Sequence, residues 1–459
     1  MSDAAGPFAW EGYPPPHSPS GGGPLAGVRV VELAGIGPGP FCGMLLADLG
    51  AEVIRVDRPG GPPSPVPLDK DVSSRGKQRI VVDLKHPNGA EVVLRLAATA
   101  DALIEGYRPG VAERLGVGPA ACWARNPRLV YGRMTGWGQD GPLAASAGHD
   151  IAYIAVTGAL HAIGRAGGPP QVPVNYLGDF GGGSLFLALG LLAALLRARQ
   201  TGRGQVVDAA IVDGTAVLQA MTYGLLADGA WTDERGVNRL DTGAPFYDVY
   251  QTADDRHMAV GALEPQFYAR LVELLFAPDG VPGDLPSQHD RARWPELRQR
   301  FAARFAQRSQ EEWAKIFFRT DACVAPVLTM TEAPRHPQLA ARGTFAEIDG
   351  VVAPAPAPRF SDGAGPVAAL EPGRIAPPGS DTTEVLTRLG FADTEDLLAS
   401  GAVWQALPSR RRRGPQRMPG RLRRLLLLSA LVGPDTTFRN VVDGTSTTKE
   451  RGQRAIHHV

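Results

Sequence analysis

Val28-Arg29-Val30-Val31-Glu32-Leu33, then Gly35-Ile36-Gly37-Pro38-Gly39-Pro40, then Phe41 to Leu49, then Glu52-Val53-Ile54-Arg55-Val56 decide the fold. A short apolar run closes on glycine, apolar residues then recur at helical spacing, and a second apolar run follows. That is a β-α-β unit. Further strands are predicted at Arg79 to Leu84, Ala102 to Gly106 and Leu129 to Met134, alternating with helices at Gly89 to Ala98 and Val111 to Leu115. Such alternation predicts an α/β class with a large Rossmann-like domain and a mostly parallel sheet. Beyond a Leu/Ala-rich helix at Ser184 to Arg199 and a strand at Val206 to Ile211, a hairpin is expected from Phe246 to Tyr250 and His257 to Ala262. Helices at Gln266 to Leu275, Glu296 to Phe305 and Gln310 to Arg319 would complete a smaller α+β domain. Val351 to Pro358, rich in Pro and Ala, reads as a stiff extended linker. The expected division is a disordered leader at 1–24, a large domain at 25–209, linker helices at 210–243, a small domain at 244–337, a further linker at 338–407, and a basic tail at 408–459.

At 459 residues the chain can bury two or three cores. Its formal charge of zero hides an asymmetry: from Ser409 onward there are twelve Arg and Lys against three acids, and before it thirty-five against forty-four. An acidic body lacks the clustered cations that neutralise phosphates, so nucleic acid is not the expected partner. Three widely separated cysteines, Cys42, Cys122 and Cys323, indicate neither a disulfide framework nor a metal site. The leader, with Pro14-Pro15-Pro16 and Gly21-Gly22-Gly23, has no apolar signal region. The apolar runs Leu185 to Leu196 and Leu425 to Val432 fall short of the roughly 20 residues of a membrane span. A cytoplasmic protein without a membrane span is expected. Arg410 to Arg413 and the arginines and leucines that follow fit a basic membrane-surface segment or a poorly ordered extension, the latter by composition.

Gly35-x-Gly37 with Asp57 about 20 residues on imitates a dinucleotide fingerprint, but Pro40 stands where its third glycine belongs. Arg58 suits a phosphate better than a ribose diol. Lys77 and Lys85 are candidate phosphate contacts or solvated surface lysines. In Ala147-Gly148-His149-Asp150-Ile151-Ala152-Tyr153, a histidine stands at a predicted helix start, where a base near neutrality can face a substrate. Asn175 to Gly183 supplies a second candidate, Asp179, which is equally suited to capping a helix that begins near Gly181. Glu264, before Pro265, is a third or merely flanks a turn. One imidazole and two carboxylates suffice for acid/base chemistry at carbon. Neither a Gly-x-Ser-x-Gly elbow nor a His/Cys cluster with metal-ligand spacing is present, so neither hydrolysis nor a metal is expected.

These stretches, with Val56-Asp57-Arg58-Pro59-Gly60, Gly76 to Lys85 and Thr320 to Leu328, resemble the α-methylacyl-CoA racemases of the family III CoA-transferase fold, from about Pro24 to about Leu407. The resemblance implies an isomerase that inverts C2 of a 2-methyl-branched acyl-CoA thioester, with His149 and Asp179 on opposite faces. It implies an interlocked homodimer in which Glu264 of one chain tunes His149 of the other, and a return of the chain at 338–407 to pack on the large domain. It further implies that Arg58, Val82, Asp83, Leu84, Lys85, Gly148 and Tyr153 bind coenzyme A, with Arg114 near the site. The backbone N–H of Asp150 is a candidate donor to an enolate oxygen. Coenzyme A would enter as part of the substrate, with no separate cofactor. The alternative on the same fold is a CoA-transferase with Asp179 as nucleophile, and His149 discriminates, since acyl exchange needs no histidine base. A noncatalytic CoA-binding scaffold is disfavoured by the intact His149, Asp179 and Glu264.

Overall fold

The computed structural model describes residues 23–61, 66–360 and 375–406; the leader up to residue 22 and the basic tail lie outside the described residues. Six strands follow the predicted alternation: β1 (Arg29–Leu33), β2 (Glu52–Asp57), β3 (Lys77–Val82), β4 (Ala102–Glu105), β5 (Val130–Thr135) and β6 (Val206–Ala210). They lie parallel in the order 3-2-1-4-5-6, the doubly wound arrangement with its reversal between β1 and β4. Two apolar layers sandwich the sheet. On one face Val30, Val53 and Ala102 pack against α1 (Pro38–Asp48) and the later long helix; on the other Val31, Ile54, Ile80 and Leu103 meet α2 (Gly89–Thr99), α3 (Val111–Arg114) and α4 (Pro119–Arg125).

The face under α1 also carries charge. Glu32, Arg55 and Arg79 stand in register across β1, β2 and β3, all at least nine-tenths buried. Two arginines side by side repel, and Asp57 separates them: its Oδ1 accepts from Arg55 Nε at 3.0 Å, and its Oδ2 accepts from Arg79 Nε at 2.9 Å. Lys77 donates to Glu32 at 2.6 Å and to the Pro40 carbonyl at 2.7 Å. Burial lowers the Lys77 pKa, because it penalises the charged form. Gly43 is required here, since a Cβ would sit 2.0 Å from Glu32 Oε2. Lys77 is thus a structural cation, and the expectation that it contacts a phosphate is corrected.

After β5 come α5 (Asp150–Val156) and α6 (Ala159–Ala162); a π-helical segment, Tyr176–Ser184, then runs without a break into α7 (Leu185–Thr201). The continuous helix Tyr176–Thr201 spans 26 residues. By length and composition it could cross a membrane, contrary to the expectation that the apolar runs are too short. The glycines read as a helix start lie inside the helix and lengthen it. Leu187, Leu191, Ala194 and Leu195 pack it onto the sheet. Helices α8 (Ile211–Leu218) and α9 (Ala220–Ala227) follow.

The smaller part holds an antiparallel sheet of β7 (Tyr247–Gln251), β8 (His257–Gly261) and β9 (Val324–Pro326), backed by α10 (Pro265–Phe276), α11 (Trp294–Phe305) and α12 (Gln310–Phe317). Its core is aromatic, built on Tyr250, Phe301, Phe305, Trp313 and Phe317. A reciprocal Ser309/Glu312 capping box starts α12. The chain continues through α13 (Pro337–Ala341) and the hairpin β10 (Phe345–Ile348) with β11 (Val351–Pro354), so the predicted Pro/Ala linker is in part a strand. Alternate residues of β11 can bury one face, as Ala353 does, despite the linker-like composition.

The chain then returns to the large sheet. Helices α14 (Thr382–Arg388) and α15 (Thr394–Ser400) join the α2 layer, and β12 (Val403–Trp404) pairs antiparallel with β3. Asp381 and Thr382 side chains accept from the Arg79 and Val81 N–H groups, so the β3 edge is covered. Without Lys77, Arg55 still holds Glu32 Oε1, but the buried Oε2 loses its donor at 2.6 Å. Lys77→Met should therefore lower stability by about 1–3 kcal/mol, read as a fall in the urea midpoint; an unchanged midpoint would show that Glu32 needs no donor from Lys77.

Candidate active site

In a doubly wound sheet, the loops after β1 and β4 leave in opposite directions and open a crevice at the strand ends. A cavity of about 510 Å³ lies there, lined by Gly35 to Pro40 after β1, Arg58 after β2, Val82 and Leu84 at the end of β3, Gly106 to Pro109 after β4, and Gly136 and Trp137 after β5. His149, Gly148, Tyr153 and Asp179 complete its wall. Tyr153 stands edge-on to Trp137, and its ring fills the space beside Gly136 and Gly148, where any Cβ would clash.

His149 is the N-cap residue of α5, extended at φ −134° and ψ 169°, exposed, and makes no side-chain capping bond. Its imidazole is therefore not consumed by the helix. Asp150, the first helical residue, is 7% exposed, and its Oδ1 accepts the Asp179 N–H at 2.7 Å. Asp179 lies within the π-helical segment, so it does not cap a helix at Gly181. The extra residue per turn, a feature frequent at functional sites, sets its side chain toward the cavity wall. Asn175 Nδ2 donates to Asp179 Oδ2 at 3.2 Å. The Asp179 pKa is raised, first by burial and also by the neighbouring Asp150 charge, while Asn175 and the nearby His149 pull it down. A half-buried carboxylate with raised basicity and an uncommitted imidazole thus line one cavity, an arrangement able to move protons to and from a carbon held between them.

Other predicted residues are placed differently. Arg58 lines the cavity, with Val82 and Leu84 beside it. Asp83 and Lys85 lie outside its lining, where Asp83 Oδ1 accepts the Lys85 N–H at 2.9 Å and Lys85 is exposed. Arg114 is also exposed and absent from that lining; Arg108, on the loop after β4, lines it instead. No periodic signal marks Arg108, though its place after a strand end could have. Asp57 spends its carboxylate on Arg55 and Arg79 and is 3% exposed. The resemblance to a ribose-binding acid therefore ends at its position. Glu264 is exposed at the N-cap of α10, its charge acting on Cys323, and lines neither of the site's cavities.

A larger cavity, about 980 Å³, adjoins the first across Gly35, Gly37, Arg58 and Asp179. Phe41 and Phe180, stacked with centroids 4.5 Å apart, form one side. Pro377, Pro378 and Trp404, brought by the returning chain, form another. No local pattern marks this cavity, since its walls lie more than 300 residues apart along the chain.

The model of CoA-transferase family III matches residues 25–378. The chain is 46% identical to the α-methylacyl-CoA racemase of Mus musculus over 376 residues, 81% of this chain and 95% of that protein. It is also 46% identical to the α-methylacyl-CoA racemase of Homo sapiens over 374 residues, 81% and 94% of the two chains. Among solved structures, a CAIB/BAIF family protein from Brucella suis superposes with a TM-score of 0.69 at 26% identity, covering 80% of this chain and all of that one. With the doubly wound sheet, the strand-end crevice and these matches together, the chain belongs to CoA-transferase family III.

Proposed function

We propose that this chain is a racemase that inverts C2 of 2-methyl-branched acyl-CoA thioesters. The observation that carries it is that His149 and Asp179 line the same cavity. One base removes the α-proton, the thioester becomes an enolate, and the other returns a proton to the opposite face. The raised basicity of Asp179 suits this, because a carboxylate near its ordinary pKa is a weak base for a carbon acid. As the first residue of α5, Asp150 has a backbone N–H that points out of the helix, where it can meet the enolate oxygen. Arg58 and Arg108 supply charge for the phosphates of coenzyme A, which arrives as part of the substrate. The larger cavity, on the far side of Asp179, receives the acyl chain along Phe41 and Phe180.

The site is completed by a second copy of the chain, with the partner subunit's Glu264 facing His149. Two observations support this. Glu264 is exposed and remote from the cavity in its own chain. Helices α7 to α9 also leave Leu189, Leu196, Val217, Met221 and Tyr223 more than half exposed, an apolar surface of the kind that another protein surface covers. We place the enzyme in the cytoplasm, on composition.

Racemisation needs no second carboxylic acid. The purified protein should take deuterium into C2 of a 2-methylacyl-CoA in heavy water, with loss of optical activity. Turnover that appears only when an acceptor acid is added would replace the racemase with a transferase using Asp179 as nucleophile. His149→Ala and Asp179→Asn should each abolish racemisation yet retain exchange with opposite enantiomers, S being served by His149 and R by Asp179, followed by NMR.

The shared site makes a distinct prediction. Co-expressed His149→Ala and Glu264→Gln chains should recover activity in the mixed dimer to about half the wild-type level, because one of its two sites has both wild-type residues. If Glu264 acts within its own chain, neither site is intact and mixing recovers nothing.

A further inference from the structure

Asp150 is a buried carboxylate of which only half is used. Its Oδ1 accepts the Asp179 N–H at 2.7 Å, while its Oδ2 is buried and has no hydrogen-bond partner. Leaving a buried carboxylate oxygen unpaired is costly, so the group is not explained by stability. The surrounding backbone is shaped to admit it: a Cβ on Gly178 would lie 2.4 Å from Asp150 Oδ1. The bonded N–H belongs to the π-helical segment, whose register sets where Asp179 points.

We propose that the Asp150 carboxylate is a positioning residue for the R-face base: it anchors the π-helical turn through the Asp179 N–H and sets a fixed negative charge beside the Asp179 carboxylate. The inference rests on the reading of Asp179 as a base. Two carboxylates side by side resist being ionised together, so the charge of Asp150 keeps Asp179 a stronger base than burial alone would. The other groups facing Asp179 are accounted for. Asn175, on its own segment, donates to it; His149 from the start of α5 acts on it electrostatically; Tyr153 feels its charge; and Arg58, after β2, shares both cavity walls with it. The turn after β1 offers Gly37, and α8 carries an exposed Asp213 that acts on Asp208.

The test uses Asp150→Asn, which keeps an acceptor oxygen and removes the charge. Asp179 must be ionised to take a proton, so the rate of deuterium uptake from the R enantiomer falls on the acid side of the Asp179 pKa. Removing the neighbouring charge lowers that pKa. The acid limb should therefore move to lower pH, and the plateau should drop by roughly tenfold as the base weakens. The limb for the S enantiomer, served by His149, should stay in place. Gly178→Ala provides a second arm, because its methyl group displaces the Asp150 carboxylate and with it the wide turn that carries Asp179; it too should slow the R enantiomer selectively in a folded protein. An unmoved R limb in Asp150→Asn, or equal movement of both limbs, would overturn the proposal. If Asp179→Asn itself leaves racemisation intact, it is the underlying assignment of Asp179 that fails.

Discussion

The buried row of Glu32, Arg55 and Arg79, tied by Asp57 and Lys77, constrains everything built on the sheet. Apolar strands can slide when their neighbours are also apolar, but a buried charge has few acceptable places. Glu32 meets Arg55 only at the observed β1/β2 register, and Asp57 bridges Arg55 to Arg79 only at the observed β2/β3 register. With the three strands locked, the loops after β1, β2 and β3 leave at fixed heights. That is what brings the Gly35–Gly37 turn, Arg58 and Val82 to one crevice. The row also decides what Asp57 does. An acid at the end of the second strand of a doubly wound sheet could meet a ribose, but here both its oxygens are held by arginines.

A second constraint acts where Asp179 meets the crevice. The segment from Tyr176 to Ser184 is glycine-rich because three surfaces press on it. Gly178 makes room for Asp150, Gly182 for Thr215 on α8, and Gly183 for Ile211, Met134 and Pro38. A side chain at any of these would push the wide turn out of register and Asp179 with it. The glycines therefore act as contacts rather than hinges, and the Asp150 carboxylate is the polar bond that holds the turn at that depth. Placing Asp179, the proposed R-face base, on a segment so closely packed fixes its direction at the cost of a half-satisfied buried carboxylate.

These same glycines explain where the sequence was legible and where it was not. The six parallel strands and the main helices were readable because each buries a face, which imposes a period of two or 3.6 on the residues themselves. His149 stood out only as a candidate, by its place between Gly148 and Asp150 at a helix start, and its proposed role leans on the resemblance, because a lone histidine is more often structural or exposed. Nothing in Leu177-Gly178-Asp179-Phe180-Gly181 signals a π-helix: glycine runs read as breaks, and what keeps this one helical comes from Asp150, α8 and α1. The edge strands were hidden for a related reason. With three residues in β9 and two in β12, neither has room for a period, and each exists because a neighbouring strand offers open hydrogen-bonding groups. Arg114 and Arg108 illustrate the limit for single residues, since six positions apart on one loop-and-helix stretch, only Arg108 turns into the crevice.

The crevice has one uneven property. Asp179 is held by Asn175 and Asp150 within its own chain, whereas the His149 ring is exposed and makes no capping bond. A base free to rotate, to change tautomer or to lose its proton to solvent is poorly suited to stereospecific return of that proton. An outside carboxylate against the imidazole would fix both its direction and its tautomer. Glu264 has the chemistry and the exposure for that task, but it lines neither cavity of its own chain. The asymmetry between a base held from within and a base left open is what an active site shared between two subunits would produce, with the second copy supplying the missing constraint.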